Sequence, residues 1–250
     1  MKWLRFILLN FFIVTSLVGF AAQAQPLDCI NLEYDLSFFV DEDFRYTPQT
    51  VDQKPFKKSS FSNLNLGFFY GQLWCKFDIK GKLPEDPILQ YDNPTIDFIE
   101  LFIFKNGRWQ SLGYVGDMIP FKERKIKSRF PRFEIKETGN YLMRIRSNGE
   151  PFMTELTLFS QEKLRDRSYK RNLLAGVFLG LFLVTLIFNV FMYFMMKGRK
   201  NLILIFYIFS MLIYNMGMSG YGFQFVWPSA VNFQNHVLHV FGSILSLIHI

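Results

Sequence analysis

From Leu173 to Met196 the chain reads LLAGVFLGLFLVTLIFNVFMYFMM, without one charged side chain. In lipid, every backbone N–H and C=O of such a run must be satisfied within the segment, and a helix does this. About 20 apolar residues cross a bilayer core, so the run spans with tilt to spare. A membrane helix is therefore fixed before anything else, and the rest of the chain must be read against two solvents.

Lys-Gly-Arg-Lys follows at 197–200. A second apolar run extends from Leu202 to about Met218 and ends among Gly217, Gly220 and Gly222. Phe223 to Ser229 then reads as an interfacial turn, with Trp227 at headgroup depth and Pro228 stopping the helix. A third run starts near His236 and reaches Ile250. It is too short for a span and reads as a helix cut off by the end of the sequence. Asn189 and Asn215 are expected to face a bundle interior and bond between helices, because hydrocarbon offers them no partner. Gly176 and Gly180 form a small-xxx-small pair that lets helices approach closely, within one bundle or, second, in a homodimer. His236 and His239 share a helix face and are read as packing groups. No metal or cofactor is expected.

The amino terminus sets the compartment. Lys2 and Arg5, the apolar stretch Phe6 to Phe20, and Ala22-Gln23-Ala24 form the three parts of a secretory signal peptide over 1–24. The formal net charge of +7 then does not point to nucleic acid. Charge near the helices conflicts. Lys197, Arg199 and Lys200 mark their side as cytoplasmic, yet Lys163, Arg165, Arg167, Lys170 and Arg171 claim the same for the other side. Long domains translocate largely regardless of charge, so 25–171 are placed outside and 197–201 inside. This describes a multi-pass inner-membrane protein with a periplasmic amino-terminal domain. An oxidising compartment permits a disulfide between Cys29 and Cys75, worth about 3 to 4 kcal/mol in the chain-entropy model. A buried free Cys75 thiol is the other reading.

The exported part reads as β. In LWCKFDIK, Leu73, Cys75, Phe77 and Ile79 point one way, and Trp74, Lys76, Asp78 and Lys80 the other. DFIELFIF (97–104) suits a strand buried on both faces. Asn106-Gly107 makes a tight hairpin turn into WQSLGYV (109–115). FPRFEI (130–135), YLMRIRS (141–147) and FMTELTLF (152–159) complete the strands. The pattern predicts a β-sandwich or jelly roll over 25–160. A juxtamembrane linker over 161–171 and the first helices of an incomplete transmembrane bundle over 172–250 follow.

The order of LWCKFDI, ILQYDNPTIDFIELFIFKNGRW, GDMIPFKERKIKSRF, YLMRIRSNG and NLLAGVFLGLFLVTLIFNVFMYF resembles the bacterial seven-transmembrane receptors with diverse intracellular signalling modules, with the second of that family's extracellular domain types. Trp74 and Lys76 fit the family's strand, and Cys75 departs from it. Gly116-Asp117, Pro120-Phe121 and Arg124 match. Met143-Arg144 matches loosely, and Asn189 with Tyr193 matches the first helix. A proline usual near Thr154 is absent. The resemblance implies a receptor. Its outer domain would bind carbohydrate or another small ligand. Its output module, such as a kinase or a cyclase, would lie beyond residue 250.

For a carbohydrate ligand, Trp74, Trp109, Asp117, Arg144 and Arg146 supply aromatic platforms and planar hydrogen-bonding groups. For a carboxylate, Arg124, Arg129, Arg144 and Arg146 supply guanidinium forks. Against this, the tryptophans could simply cover the sheet, and the arginines could sit in solvated ion pairs. Within 116–130, Arg124 is expected to be aimed by the turn, with Lys122, Lys125 and Lys127 as a solvated face. No enzyme signature is present in the sequence, so no catalytic residue is expected. The expected partners are a small ligand and membrane lipid. The competing reading is a non-signalling, membrane-anchored glycan-binding or scaffold protein.

Overall fold

The computed structural model describes residues 36–58 and 63–248. The expected signal peptide and Cys29 lie outside them.

The alternation at Leu73–Lys80 decides the sandwich. Strand β3 (Asn63–Ile79) runs antiparallel to β8 (Gly139–Phe159), with Leu73 opposite Ile145 and Trp74 opposite Arg144. Side chains alternate across a strand, so one face of both strands is apolar and enters the core. YLMRIRS and FMTELTLF, expected as two strands, are parts of this one long strand. Its pairing with β3 shifts register at Asn65/Gly67 and Phe68/Tyr70, and Gly67 has φ 66. Such bulges absorb an extra residue and tolerate a proline, so Pro151, opposite Phe68, lies within the strand rather than ending it.

Strands β1 (Ser37–Asp41) and β2 (Lys57–Lys58) extend the sheet beyond β3. On the other side of β8 lies β5 (Phe98–Lys105), joined to β6 (Arg108–Val115) through Asn106 (φ 51) and Gly107 (φ 74), the hairpin that was expected. The last residues of β8, Leu156 to Phe159, leave this sheet and pair with β4 (Ile88–Tyr91), which pairs with β7 (Arg132–Glu134). One strand thus belongs to two sheets. The buried set Leu73, Cys75, Ile99, Leu101, Tyr141 and Ile145 belongs to the larger sheet, and Leu89, Tyr91 and Phe133 to the smaller. Cys75 is a buried thiol, pushed up to about 12 by burial. β5 is buried along one face, and on the other only Phe102 is buried, with Phe98 and Glu100 half-buried and Phe104 exposed.

The other face of the larger sheet has its own cover. The helical turn α1 (Pro48–Val51) lowers Val51 onto Trp74, Phe102, Trp109 and Leu142.

Helix α2 (Gln161–Met196) starts directly after β8, with Ser160 Oγ accepting from the Lys163 amide at 3.4 Å. Residues 161–171 are therefore the first turns of the membrane helix rather than a separate linker. Lys197, at φ 47, ends it. Helix α3 (Arg199–Met218), a π-helical turn (Gly222–Val226) and helix α4 (Val231–Ile248) follow. α4 begins before the His236 start read from sequence. Among the described residues, α2 and α3 are long and apolar enough to cross a membrane. Leu174, Val184, Phe188 and Phe194 are exposed, as lipid-facing side chains would be.

Asn189 is buried, as expected, but its Nδ2 donates to the Thr185 carbonyl of its own helix at 2.8 Å. Asn215 does the same to Met211 at 2.8 Å. The expected bonds between helices are replaced by bonds four residues back along each helix. At Gly176 and Gly180 an added Cβ would meet nothing within 4 Å. The close approach of helices falls at Gly217 instead, where a Cβ would stand 2.6 Å from Val237 Cγ1.

Candidate ligand face and its junction with the helices

Residues opposite in parity to the core line the outer face of the larger sheet. The register puts Gln72 across from Arg146 and Glu100 across from Arg144. Asp41 accepts from the amides of Arg45 (3.0 Å) and Tyr46 (3.1 Å) and from Gln72 Nε2 (3.1 Å). Gln72 Oε1 in turn accepts from Arg146 Nε at 3.0 Å. Arg144 Nη2 donates to Glu100 Oε2, whose other oxygen accepts from Ser111 Oγ at 2.7 Å. Both guanidinium groups lie over Phe98, at 5.4 and 5.2 Å. Around them Tyr114 stacks on Phe98 (5.9 Å, 19°), and Phe44 meets Tyr70 edge-on at 6.1 Å. Tyr114 and Tyr70 are 59% and 66% exposed, so this rim is open to a ligand. Phe44 holds φ 56, a conformation uncommon for a bulky side chain and found often at binding sites.

The face brings Arg144 and Arg146 together, as their alternation implied. It does not offer Trp74 or Trp109 as platforms. Both are buried, Trp74 completely, beneath Val51. Their indole N–H groups, together with Arg144 Nε, are buried without hydrogen-bond partners. Unmet buried donors are costly, and here they cluster beneath one patch, with Arg144 lying 5.8 Å over the Trp74 ring. Open aromatic surface comes instead from Tyr114, Tyr70 and Phe44. The parity of β6 and β3 places Tyr114 and Gln72 on this outer face and is the sequence signal that marks them.

The segment from Gly116 to Phe130 has a different fate. It leaves β6 two residues after Tyr114. The Asp117 amide donates to the Ile96 carbonyl (2.9 Å) and the Met118 amide to the Asp97 carbonyl (3.2 Å). Only glycine fits at 116, since a Cβ would lie 2.1 Å from the Asp97 carbonyl oxygen. Arg124 turns inward. Its Nη1 donates to the carbonyls of Ser128 (2.9 Å) and Arg129 (3.1 Å), and its Nη2 to that of Gly116 (2.8 Å). Burial pushes it down to about 10, opposed by the nearby Asp117 carboxylate. Arg124 and Asp117 are both buried within the loop, so neither is presented to a ligand. Lys122, Lys125 and Lys127 are exposed, as expected of a solvated face.

The loop's far side rests on the helices. The Phe121 amide donates to the Pro228 carbonyl at 2.9 Å, and Phe121 and Arg124 pack on Phe223 of the π-helical turn. Arg129 donates to the Ser219 carbonyl at 2.8 Å and lies 4.2 Å over Tyr221, whose hydroxyl donates to Asn172 Oδ1 at 2.7 Å. Beside it, Arg171 grips Asp92 through two bonds of 2.7 Å, and Arg167 adds a third at 3.0 Å. Asp92, Arg167 and Arg171 were missed as site residues. In sequence the arginines read only as charge next to a membrane helix.

A family model described as 7TMR-DISM extracellular 2 matches residues 33–160, and one described as 7TM diverse intracellular signalling matches residues 171–250. No curated protein matches the chain in sequence. Among solved structures, GH31 CBM32-2 bound to GalNAc is similar at 10% identity and a TM-score of 0.29, over 52% of this chain and 99% of that one. Chitosan-binding module 1 from a chitosanase/glucanase of Paenibacillus sp. IK-5 is similar at 7% identity and a TM-score of 0.31, over 53% and 99%.

Proposed function

The chain belongs to the 7TMR-DISM receptors, and on that premise we propose that it forms the sensing part of a signal-transduction receptor of the bacterial inner membrane. The sandwich lies in the periplasm and reads a small ligand, carbohydrate or carboxylate, on the face around Arg144, Arg146 and Tyr114. The membrane helices pass the change to a cytoplasmic output module. These residues bind and transmit, and none is assigned catalysis.

One observation carries the reading. Besides the direct run of β8 into α2, the face and the helices are joined by a short path from Tyr114 through Gly116 into a loop that is pinned at its start by Ile96 and Asp97 and at its far side by Pro228 and Ser219. A ligand that moves β6 against β5 pulls on the origin of that loop. Aromatic rims with planar hydrogen-bonding groups suit sugars, while paired guanidinium groups suit carboxylates. Glu100 and Gln72 occupy part of each Arg fork, so a neutral polyol fits with less displacement than an anion does.

Isothermal titration calorimetry of the detergent-solubilised chain against a panel of mono- and disaccharides and of small carboxylates tests the ligand face. Binding that weakens about tenfold or more in Arg146→Ala and in Tyr114→Ala is expected. Binding unchanged by both substitutions would place the ligand elsewhere and sink the proposal.

A further inference from the structure

A cavity lies where the sandwich meets α2 and the π-helical turn. Its volume is about 90 Å³, and its basic lining is Lys127, Arg129, Arg132, Arg167 and Arg171. One carboxylate, Asp92, is bound to two of them. Arg132 Nε and Nη2 are taken by Gln90 Oε1 (2.8 Å) and Ser168 Oγ (3.0 Å), which hold its guanidinium at the wall of the cavity. Gln90, Ser128, Asn172 and Gln224 supply the remaining polar lining. Like charges of this density repel in a partly buried site, and burial with the neighbouring guanidinium groups of Arg129 and Arg171 holds Arg132 below its usual range. Among the described residues that line the cavity there is no carboxylate.

Size and depth narrow what would balance these charges. The volume equals that of roughly three liquid waters, which is the scale of one tetrahedral oxyanion. The uncharged run of α2 begins at Leu173. At 1.5 Å rise per residue, Arg171 stands about 3 Å and Arg167 about 9 Å outside it, the level of lipid headgroups.

We propose that this cavity binds a phosphate group, held by Arg129, Arg132 and Lys127 beside the Asp92-anchored pair Arg167 and Arg171. Arg129 and Arg132 keep guanidinium N–H groups beyond those given to Ser219, Gln90 and Ser168, and these, with the Lys127 ammonium, are charged donors of the kind phosphate oxygens accept. An anionic phospholipid headgroup and free inorganic phosphate present the same chemistry at this depth. Occupancy would neutralise the repulsion at the seam and tighten the hold of the sandwich on the helices. The proposal does not rest on the Arg144–Arg146 face.

The test measures the thermal unfolding midpoint of the full chain in dodecyl maltoside, at matched ionic strength. One arm titrates inorganic phosphate against chloride, the second adds phosphatidylglycerol, and the third adds succinate. A rise with phosphatidylglycerol alone identifies the lipid, and a rise with inorganic phosphate identifies the free ion. In either case the apparent affinity should fall about tenfold in Arg132→Gln and stay level in Arg108→Gln, which lies on the β5–β6 hairpin. If Arg132→Gln does not fold, Lys127→Gln, whose side chain is exposed, carries the same comparison. No rise with either phosphate source, an equal rise in wild type and in the cavity variant, or a rise with succinate alone overturns the proposal.

Discussion

Arg124 shows how a single side chain can mislead by its chemistry and still be the key to its segment. Its three hydrogen bonds to carbonyls close the 116–130 loop on itself. Arg124→Gln should therefore destabilise the chain by about 3 kcal/mol, since it leaves buried carbonyls unpaired. Lys125→Gln, which removes only an exposed ion pair with Glu134, should change stability by less than about 0.5 kcal/mol. Thermal unfolding of both variants checks the contrast. Asp97, which anchors the same loop, is buried, and burial raises its carboxyl above the usual range against one bond from the Asn148 amide. The folded state thus holds this proton more tightly than the unfolded chain. Stability from this group is full below the unfolded carboxylate range and falls as pH rises through the raised folded value. In Asp97→Asn that decline should vanish from a pH series of unfolding midpoints. Cys75 should resist maleimide in the folded chain and label only on denaturation, because burial keeps its thiol protonated. Residue parity was legible over 73–79 of β3 and 141–146 of β8, which is how Arg144 and Arg146 were placed on one face. The inward turn of Arg124 was not, because its partners are backbone carbonyls set by loop geometry, and sequence does not mark them.

Among the elements, those whose stability is local were the most readable. The uncharged run gave α2 its membrane span, and Asn106-Gly107 gave the β5–β6 hairpin its turn. Elements that depend on partners were less so. β8 looked like two strands because Gly149 and Pro151 interrupt it, and only its pairing with β3 carries it through. The first turns of α2 looked like a linker because their polar surface is fixed by Asp92, which is remote in sequence. The π-helical turn is a third case. Such turns are rare and often mark functional positions. Here it is enforced by Trp227, whose Cζ2 would lie 2.0 Å from a Cβ at Gly222 and whose Nε1 donates to Gln234 Oε1 at 2.9 Å. Gly222→Ala should expel the indole, break that bond and shift the Trp227 indole resonance in a ¹⁵N-labelled spectrum toward the solvent-exposed position. An unmoved resonance would mean that the turn tolerates a side chain and that Trp227 does not define it.

Across the molecule, sequence placed the apolar helices and the β character of the amino-terminal domain, but not how the parts meet. That meeting depends on contacts such as Arg129 with Ser219 and Phe121 with Pro228, about a hundred positions apart. A basic stretch that resembled a binding patch is instead the clamp between sandwich and helices. Coupling through a clamp is a difference in free energy between two arrangements, and it must appear at both ends when a ligand is bound. Hydrogen–deuterium exchange on the chain in lipid nanodiscs, with and without a ligand that binds the Tyr114–Arg146 face, measures both ends together. Slower exchange in β3, β5 and β6 should come with a change across residues 219–227, and Arg124→Gln should abolish the second while leaving the first. Protection confined to the sandwich, with 219–227 unchanged in the wild type, would contradict transmission through this loop and leave a membrane-anchored binding protein in its place.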